Sequence, residues 1–224
     1  MERLSVNLIS NRLSCTLPSV SMGYFTKEEL AQIKSVPIHV SIVMDGNRRW
    51  ARKRGVATSG HGEGAESVDR IVDAAAELGI KELTLYAFST ENWKRPRAEI
   101  QIFYKLLEQY LKKKCVKMVQ HGICFGTIGQ TSAFPKRIQE RIESVKRATC
   151  AGKRMCLTLA LNYGGRDEIC RACNALAKKM MQGELHEITE EVSRAILIRH
   201  ILHHSTCLSA PGVRCASVIF CFGS

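Results

Sequence analysis

Four short apolar segments alternate along the chain with amphipathic segments of ten or more residues, and this alternation restricts the fold more than any other feature. The apolar segments read IHVSIVMD, KELTLYAFS, ICFGTIG and RMCLTLALNYG. Short apolar segments between helical patterns are typical of buried strands. Strands that alternate with helices of this length form βαβ units. We therefore predict an α/β fold in which helices flank a mostly parallel central sheet.

The segments before, between and after these strands carry apolar residues at helical spacing, so five helices are predicted. They cover residues 25–34, 62–79, 97–121, 135–149 and 165–181. The first helix begins with Thr26 and Glu29, which have the spacing of a capping box. The second is expected to stop at Gly79, because glycine readily ends a helix.

The sequence pattern divides the chain into three parts. Residues 1–24 are rich in serine and have a single acid, Glu2. They faintly resemble an organelle transit peptide, but their weak amphipathic pattern favours a loose N-terminal extension. Residues 25–194 carry the alternating pattern and are predicted to form one domain, for which 224 residues in total suffice. Residues 195–224 depart from that pattern.

The net charge suggests an anionic partner. Lys and Arg number 33 against 21 Asp and Glu, which gives a formal charge of +12. Phosphates, nucleic acid and acidic lipid head groups are all compatible with this charge, and so is a merely basic, solvated surface. Aromatic residues make up only 6% of the chain and do not alternate with basic ones, which weakens a single-strand-binding interpretation. No apolar run approaches the ~18–20 residues of a membrane-spanning helix.

The ten cysteines are scattered singly through apolar segments. Cys170 and Cys173 form the one CxxC pair, inside a predicted helix and without a second pair to complete a zinc site. We expect free, reduced thiols and a cytoplasmic protein.

Polar side chains collect where the predicted strands end, and ligands of open α/β sheets bind beyond the carboxyl ends of the strands. The first strand runs into residues 45–50, the second into 89–95, and the fourth into 162–167. The segment GHGEG places His61 among glycines at a helix N-terminus, where free N–H groups attract anions. Each feature alone could be a turn, a cap, a core tryptophan or a solvated arginine. Together they suit a magnesium-bound diphosphate beside an apolar group.

Four segments resemble the cis-prenyltransferases of the undecaprenyl diphosphate synthase group. They are HVSIVMDGNRRWARKRG, GHGEGAE, LTLYAFSTENWKRP and LALNYGGRDEI. The resemblance covers residues 25 to about 190 and is most specific in the first and third segments. It implies a prenyltransferase fold and an enzyme that condenses isopentenyl diphosphate onto an allylic diphosphate of the farnesyl type, making cis double bonds in an undecaprenyl-like carrier lipid. It also implies Mg²⁺, a homodimer and peripheral membrane contact.

The resemblance assigns roles to individual residues. Asp45 would bind Mg²⁺ and help the allylic diphosphate to leave, and Asn92 would take part in proton removal, with Ser89 and Glu91 nearby. The residues that would hold the diphosphate are Gly46, Asn47, Arg48, Arg49 and His61. The other substrate-binding positions are Trp50, Thr90, Trp93 and Arg95.

Residues 195–224 lack the remaining family motifs. The resemblance leads us to expect an Arg-x-(Ser/Gly)-Gly-Glu-x-Arg stretch followed by SNFLLWQ, which bind isopentenyl diphosphate, and a later Glu that completes the metal site across the dimer. The sequence instead reads AILIRHILHHSTCLSAPGVRCASVIFCFGS. We therefore expect C-terminal strands that are missing or altered, an exposed sheet edge and marginal stability.

Codon degeneracy offers an explanation for this tail. New codons can be formed from the last base of each residue and the first two bases of the next, beginning at Ser205. One consistent choice of codons then reads DLLIRTGGEMRVSNFLLWQ, which is the missing motif in another reading frame. We hypothesise a frameshift between about residues 190 and 205, so that this chain is weakly active or inactive. On this view HILHHSTC is out-of-frame sequence rather than a metal site.

Two other functions stay open. A non-catalytic subunit of a heteromeric prenyltransferase would keep the fold, although the retained Asp45 and STENW loop argue against it. A basic nucleic-acid-binding protein would explain the charge, but the sequence has no binding-module signature, and we expect no nucleic-acid partner.

Overall fold

A five-stranded parallel sheet organises the part of the chain that the structure, a computed structural model, describes. These residues are 24–32, 35–45, 60–193, 196 and 215–221; for Lys27, Asp45, 60–66 and 215–221 only the backbone is described. The regular elements are α1 (Lys27–Gln32), β1 (His39–Asp45), α2 (Gly60–Glu77), β2 (Glu82–Ser89), α3 (Arg97–Gln120), β3 (Ile123–Ile128), α4 (Lys136–Thr149), β4 (Met155–Tyr163), α5 (Gly165–Met181) and β5 (Cys215–Cys221).

The strand order in the sheet is β3-β4-β2-β1-β5, and every neighbouring pair is parallel. Helices connect the first four strands in sequence, as βαβ units require. The predicted α/β fold with a parallel sheet is therefore confirmed. Because all strands run the same way, their carboxyl ends meet at one edge of the sheet.

Local signals in the sequence set the helix ends as predicted. The N–H of Glu29 donates to Thr26 Oγ1 at 3.1 Å, and the N–H of Thr26 donates to Glu29 Oε2 at 2.8 Å. This pair is a capping box at the start of α1. After α2 the chain turns at Gly79, whose φ of 81° lies in the left-handed region that glycine adopts without strain.

The core lies between one face of the sheet and helices α2, α3 and α4. Leu83, Leu85 and Leu157 on the central strands are 0–1% exposed. The helices contribute apolar stripes to the same core. Their buried members are Val72, Ala75, Ala76, Ile100, Tyr104, Leu107, Leu111, Ile138 and Ile142. Burial of these side chains holds the helices to the sheet and fixes the sheet edge that carries the polar residues.

Strand β5 comes from the tail that the sequence analysis considered aberrant. It pairs with all seven residues of β1, from His39↔Cys215 to Asp45↔Cys221. The exposed sheet edge expected from the sequence is therefore not β1, which lies inside the sheet. The segment CASVIFC is apolar and partly β-branched, and such a segment readily adds to an open sheet edge whatever reading frame encodes it.

An ion-pair cluster joins α2 to α3. Lys117 Nζ lies 2.6 Å from Asp73 Oδ2 and 3.4 Å from Asp69 Oδ2, and Lys114 Nζ lies 2.7 Å from Asp69 Oδ2. The Asp73 side chain is 8% exposed, and Lys117 is its ion-pair partner. Burial lowers the pKa of Lys117, but its hydrogen bond to Asp73 and the neighbouring charges outweigh this, and the net pKa is raised.

Replacing Lys117 by Met should destabilise the fold. Lys117→Met leaves the buried carboxylate of Asp73 without its cation, and we expect the free energy of unfolding to fall by about 1–3 kcal/mol. Urea denaturation followed by circular dichroism measures this change.

Lys113→Met is the matched control, because Lys113 is exposed on the same helix. It should change stability by less than about 0.5 kcal/mol. Equal effects of the two substitutions would show that the cluster contributes nothing specific.

Candidate active site at the carboxyl edge of the sheet

The carboxyl ends of β1, β2 and β4 bring three polar segments to one edge of the sheet. Asp45 ends β1, Ser89 ends β2 and Tyr163 ends β4. Strand β2 lies between the other two, paired with β1 on one side and with β4 on the other. The sequence prediction that these strand ends meet is confirmed at the level of the backbone.

The structure does not describe several of the predicted site residues that follow Asp45 in the sequence. The predicted substrate-binding residues Gly46, Asn47, Arg48, Arg49 and Trp50 lie outside the described residues. His61 belongs to the first turn of α2, but only its backbone is described. Their roles stay predictions.

A tight turn follows β2 and contains the remaining predicted residues. Thr90–Lys94 forms a 3₁₀ helix, and the N–H of Ser89 donates to Asn92 Oδ1 at 3.2 Å. Glu91 points into solvent. Hydrogen bonds from the Ser89 hydroxyl and from the backbone lower the pKa of its carboxyl group, so Glu91 is ionised at neutral pH. The turn thus presents a carboxylate, an amide and two hydroxyl groups at the edge.

The Trp93 side chain is fixed by a hydrogen bond at its indole nitrogen and by aromatic contacts of its ring. Its Nε1–H donates to Asn162 Oδ1 at 2.7 Å. The ring lies edge-on to Phe88 with centroids 5.2 Å apart, and its centroid is 6.0 Å from that of Phe134. Even so, 37% of the residue is exposed. An apolar surface that is fixed but open to solvent can accept an apolar ligand at little entropic cost.

Asn162 is the principal residue of this edge to which the sequence analysis assigned no role. It is 4% exposed and has a φ of 52°, a left-handed conformation in which asparagine is enriched among residues other than glycine. Its Nδ2–H donates to the Gln130 carbonyl at 3.0 Å, and the Gln130 N–H returns a bond to the Asn162 carbonyl at 3.2 Å. One side chain of β4 therefore links the loops after β2 and β3.

Two glycines allow these loops to approach each other. A Cβ at Gly129, whose φ is 93°, would clash with the carbonyl oxygen of Leu161. A Cβ at Gly164 would lie 2.5 Å from Thr90 Oγ1. Both positions therefore require glycine for the loops to pack as observed.

The loop after β4 adds a buried tyrosine–glutamate contact. Burial raises the pKa of Tyr163, and a hydrogen bond with Glu168 raises it further. Glu168 is 4% exposed, and the rings of Tyr163 and Tyr86 lie edge-on with centroids 5.5 Å apart. This contact fixes the first turn of α5 against the edge of the sheet.

Cations line the exposed side of the same edge. Lys94 and Arg95 follow the turn, and Arg166 lies at the start of α5; all three are exposed. Mobile cations beside an ionised Glu91 and several hydroxyl groups suit a polyanionic ligand that carries its own divalent cation. Among the described helices, none is long and apolar enough to span a membrane.

The family comparison matches most of the chain. The family described as "Putative undecaprenyl diphosphate synthase" (Prenyltransf) matches residues 43–211. The isoprenyl transferase of Bacillus subtilis is 37% identical over 201 residues, which are 89% of this chain and 76% of that protein. The isoprenyl transferase of Aquifex pyrophilus is 44% identical over 163 residues, which are 72% of this chain and 69% of that protein.

Solved structures agree with the sequence comparisons. Lavandulyl diphosphate synthase from Lavandula x intermedia, solved in complex with dimethylallyl diphosphate, superposes with a TM-score of 0.70 at 35% identity, covering 74% of this chain and 72% of that one. A "probable undecaprenyl diphosphate synthase" from Campylobacter jejuni superposes with a TM-score of 0.59 at 26% identity, covering 84% and 88%. This chain belongs to the undecaprenyl diphosphate synthase-like prenyltransferase family, whose members are transferases that elongate prenyl chains.

Proposed function

We propose that the carboxyl edge of this sheet binds a magnesium-bound allylic diphosphate of the farnesyl type and that the family reaction extends it with isopentenyl diphosphate in the cis configuration. The observation that carries this proposal is the meeting of the ends of β1 and β2, which brings Asp45 next to the turn that begins at Ser89. That edge combines oxygen ligands with cations and an open indole ring. The lavandulyl diphosphate synthase supports it, since it binds an allylic diphosphate.

The diphosphate is proposed to lie between the loop after β1 and the first turn of α2. Gly46, Asn47, Arg48 and Arg49 would supply N–H and guanidinium donors, and His61 would add a further donor. The amino end of α2 lies in the same connection and offers free backbone N–H groups together with a favourable dipole. Guanidinium pairs match the geometry of phosphate oxygens.

The donor atoms at this edge fit Mg²⁺. Mg²⁺ prefers oxygen ligands and normally takes one or two protein carboxylates along with phosphate oxygens and water. Asp45 would provide the carboxylate, since it ends β1 and the neighbouring strand β2 ends at Ser89. Bound Mg²⁺ would stabilise the negative charge that develops on a departing diphosphate.

The turn after β2 would position the reacting groups. Trp50 and Trp93 would contact the apolar part of the substrates, and Arg95 would add a cation. Asn92 is proposed to take part in the step that removes a proton from the extended chain. Its Oδ1 already accepts the N–H of Ser89. A neutral amide is a weak base, so Asn92 would orient the reacting group by hydrogen bonding.

The tail beyond residue 195 is proposed to be out-of-frame sequence that lacks the isopentenyl diphosphate site. Its support is the second-frame reading DLLIRTGGEMRVSNFLLWQ from Ser205 onward. On this proposal the allylic half of the site is retained and the donor half is lost, which makes the chain weakly active or inactive. Sequencing the gene across this region tests the frame directly, and an uninterrupted frame with unrelated codons would disprove it.

The partners and location of the protein are also proposals. A homodimer is expected from the resemblance to the family. A cytoplasmic protein that touches the membrane peripherally would deliver a lipid product without spanning the bilayer. The charge of +12 would favour acidic lipid head groups, and we expect no nucleic-acid partner.

Asp45→Ala should abolish magnesium-dependent binding of farnesyl diphosphate. Loss of the proposed metal ligand should raise the dissociation constant at least about tenfold in the full chain, as measured by isothermal titration calorimetry with and without Mg²⁺.

Glu140→Ala is the control for this measurement, since Glu140 is an exposed carboxylate on α4 and causes the same change in charge. Unaltered binding by Asp45→Ala, or an equal loss in both variants, would refute the proposed metal site.

Trp93→Phe should weaken the fold through the loop cluster. The substitution keeps a ring beside Phe88 but removes the N–H that Asn162 Oδ1 accepts. An unsatisfied buried acceptor costs about 1–3 kcal/mol, which urea denaturation would detect. Tyr24→Phe, which changes an exposed ring, should be neutral. If both variants have the same free energy of unfolding as the unmodified chain, the hydrogen bond between Trp93 and Asn162 does not stabilise the protein in solution.

The chain as written should incorporate little or no labelled isopentenyl diphosphate into an extended prenyl diphosphate. A version whose gene is corrected to the frame that encodes DLLIRTGGEMRVSNFLLWQ and continued to the later Glu should regain activity, because it restores both the proposed donor site and that metal ligand. Normal turnover by the chain as written would contradict the proposed loss.

A further inference from the structure

A row of ionisable side chains crosses the sheet at the amino ends of its strands, away from the candidate active site. Direct register partners place His39 beside Glu82, Glu82 beside Cys156 and Cys156 beside Cys124. Register partners project from the same face of a sheet. The proposed prenyl transfer uses none of these residues.

Of the residues in this row, Cys124 and Cys156 are the two thiols, and they can bind the same ligand. They occupy neighbouring strands β3 and β4 and are 8% and 7% exposed. Cys156 Sγ also lies 3.8 Å from Thr158 Oγ1, on the same face of the same strand. Two thiols and a hydroxyl group therefore lie together in a nearly buried patch.

The two thiols shift each other's pKa in opposite directions. The side-chain hydrogen bond between the two thiols lowers the pKa of Cys124 to about 7, against the opposing effect of burial. The same hydrogen bond and burial raise the pKa of Cys156.

The spacing of the strands suits a bridging ion. Neighbouring strands lie about 4.7–4.9 Å apart. The side chains of register partners leave the same face of the sheet, so the two sulfurs can approach within the about 4.6 Å that two metal–thiolate bonds of about 2.3 Å span. Both cysteines are free thiols in the structure.

We propose that Cys124 and Cys156 form a dithiol site for a thiophilic cation of the Cu(I) class. Soft thiolate ligands select such cations. Among the described residues, no group of three or more His, Cys, Asp or Glu is placed to share an ion, so this pair binds a cation that accepts two ligands. Binding breaks two S–H bonds, forms two S–Cu bonds and releases the thiol protons to solvent, with no change in oxidation state.

The dithiol site is independent of the candidate active site. Cys156 is the second residue of β4, and Asn162 lies six residues further along the same strand. At about 3.3 Å per residue this separation is about 20 Å. Failure of the prenyl-transfer proposal would leave the dithiol proposal intact, and the reverse also holds.

Residue-level alkylation in the full chain tests the site. The reduced protein is incubated anaerobically with Cu(I) buffered by a competing chelator, treated briefly with iodoacetamide, and digested for mass spectrometry. At free Cu(I) about ten times the dissociation constant, mass action predicts that alkylation of both Cys124 and Cys156 slows about tenfold. The two protection curves should share one midpoint.

The other cysteines provide the controls. Cys150 is exposed at the end of α4 and should show no protection at the same midpoint, and Cys150→Ser should leave both curves unchanged. Cys170 and Cys173 are exposed on α5, and their own peptides report any separate binding there.

Removing either thiol completes the test. In Cys156→Ser the midpoint for Cys124 should move to at least about tenfold higher free Cu(I), and Cys124→Ser should do the same for Cys156. The proposal is overturned if the two cysteines of the unmodified chain are not protected together. It is equally overturned if a serine variant with the unmodified circular dichroism spectrum keeps the original midpoint.

Discussion

The backbone register between β1, β2 and β4 is the constraint on which the site depends. Asp45, Ser89 and Tyr163 are far apart in the sequence, but each ends one of three adjacent parallel strands. Their alignment is set by the hydrogen bonds of the strands and by the burial of Leu83, Leu85 and Leu157 on one face. A register shift of one residue would move every side chain of a strand to the opposite face of the sheet. The packing of the apolar core therefore also fixes the position of the polar edge.

Much of this arrangement could be predicted from local signals. The strands and helices follow from apolar periodicity, and the ends of α1 and α2 follow from the capping box of Thr26 and from Gly79. The meeting of Asp45 with the Ser89 turn follows from topology, because parallel strands send their carboxyl ends to one edge. Family resemblance then supplied the chemical meaning of these residues.

The parts that could not be predicted depend on partners distant in the sequence. Asn162 adopts a left-handed conformation only because Gln130 and Trp93 satisfy its amide from two other loops. Similarly, Thr149 closes the outer edge of β3 by accepting the N–H of Phe125 at 3.1 Å, while its own hydroxyl donates to the Val145 carbonyl at 2.8 Å. Neither role leaves a local pattern, since an isolated asparagine or threonine has many uses.

The ion-pair cluster between α2 and α3 attaches the middle of α2 to its neighbouring helix. Asp69 and Asp73 anchor the helix through Lys114 and Lys117, and its first turn, with His61, extends toward the proposed diphosphate site. At 1.5 Å per residue, His61 lies about 12 Å from Asp69 along the axis. A tilt of α2 by about 5° about Asp69 would displace its amino end by about 1 Å. Displacements of that size in groups that position a substrate alter catalytic rates. Two ion pairs remote from the reacting groups therefore contribute to the position of that tip.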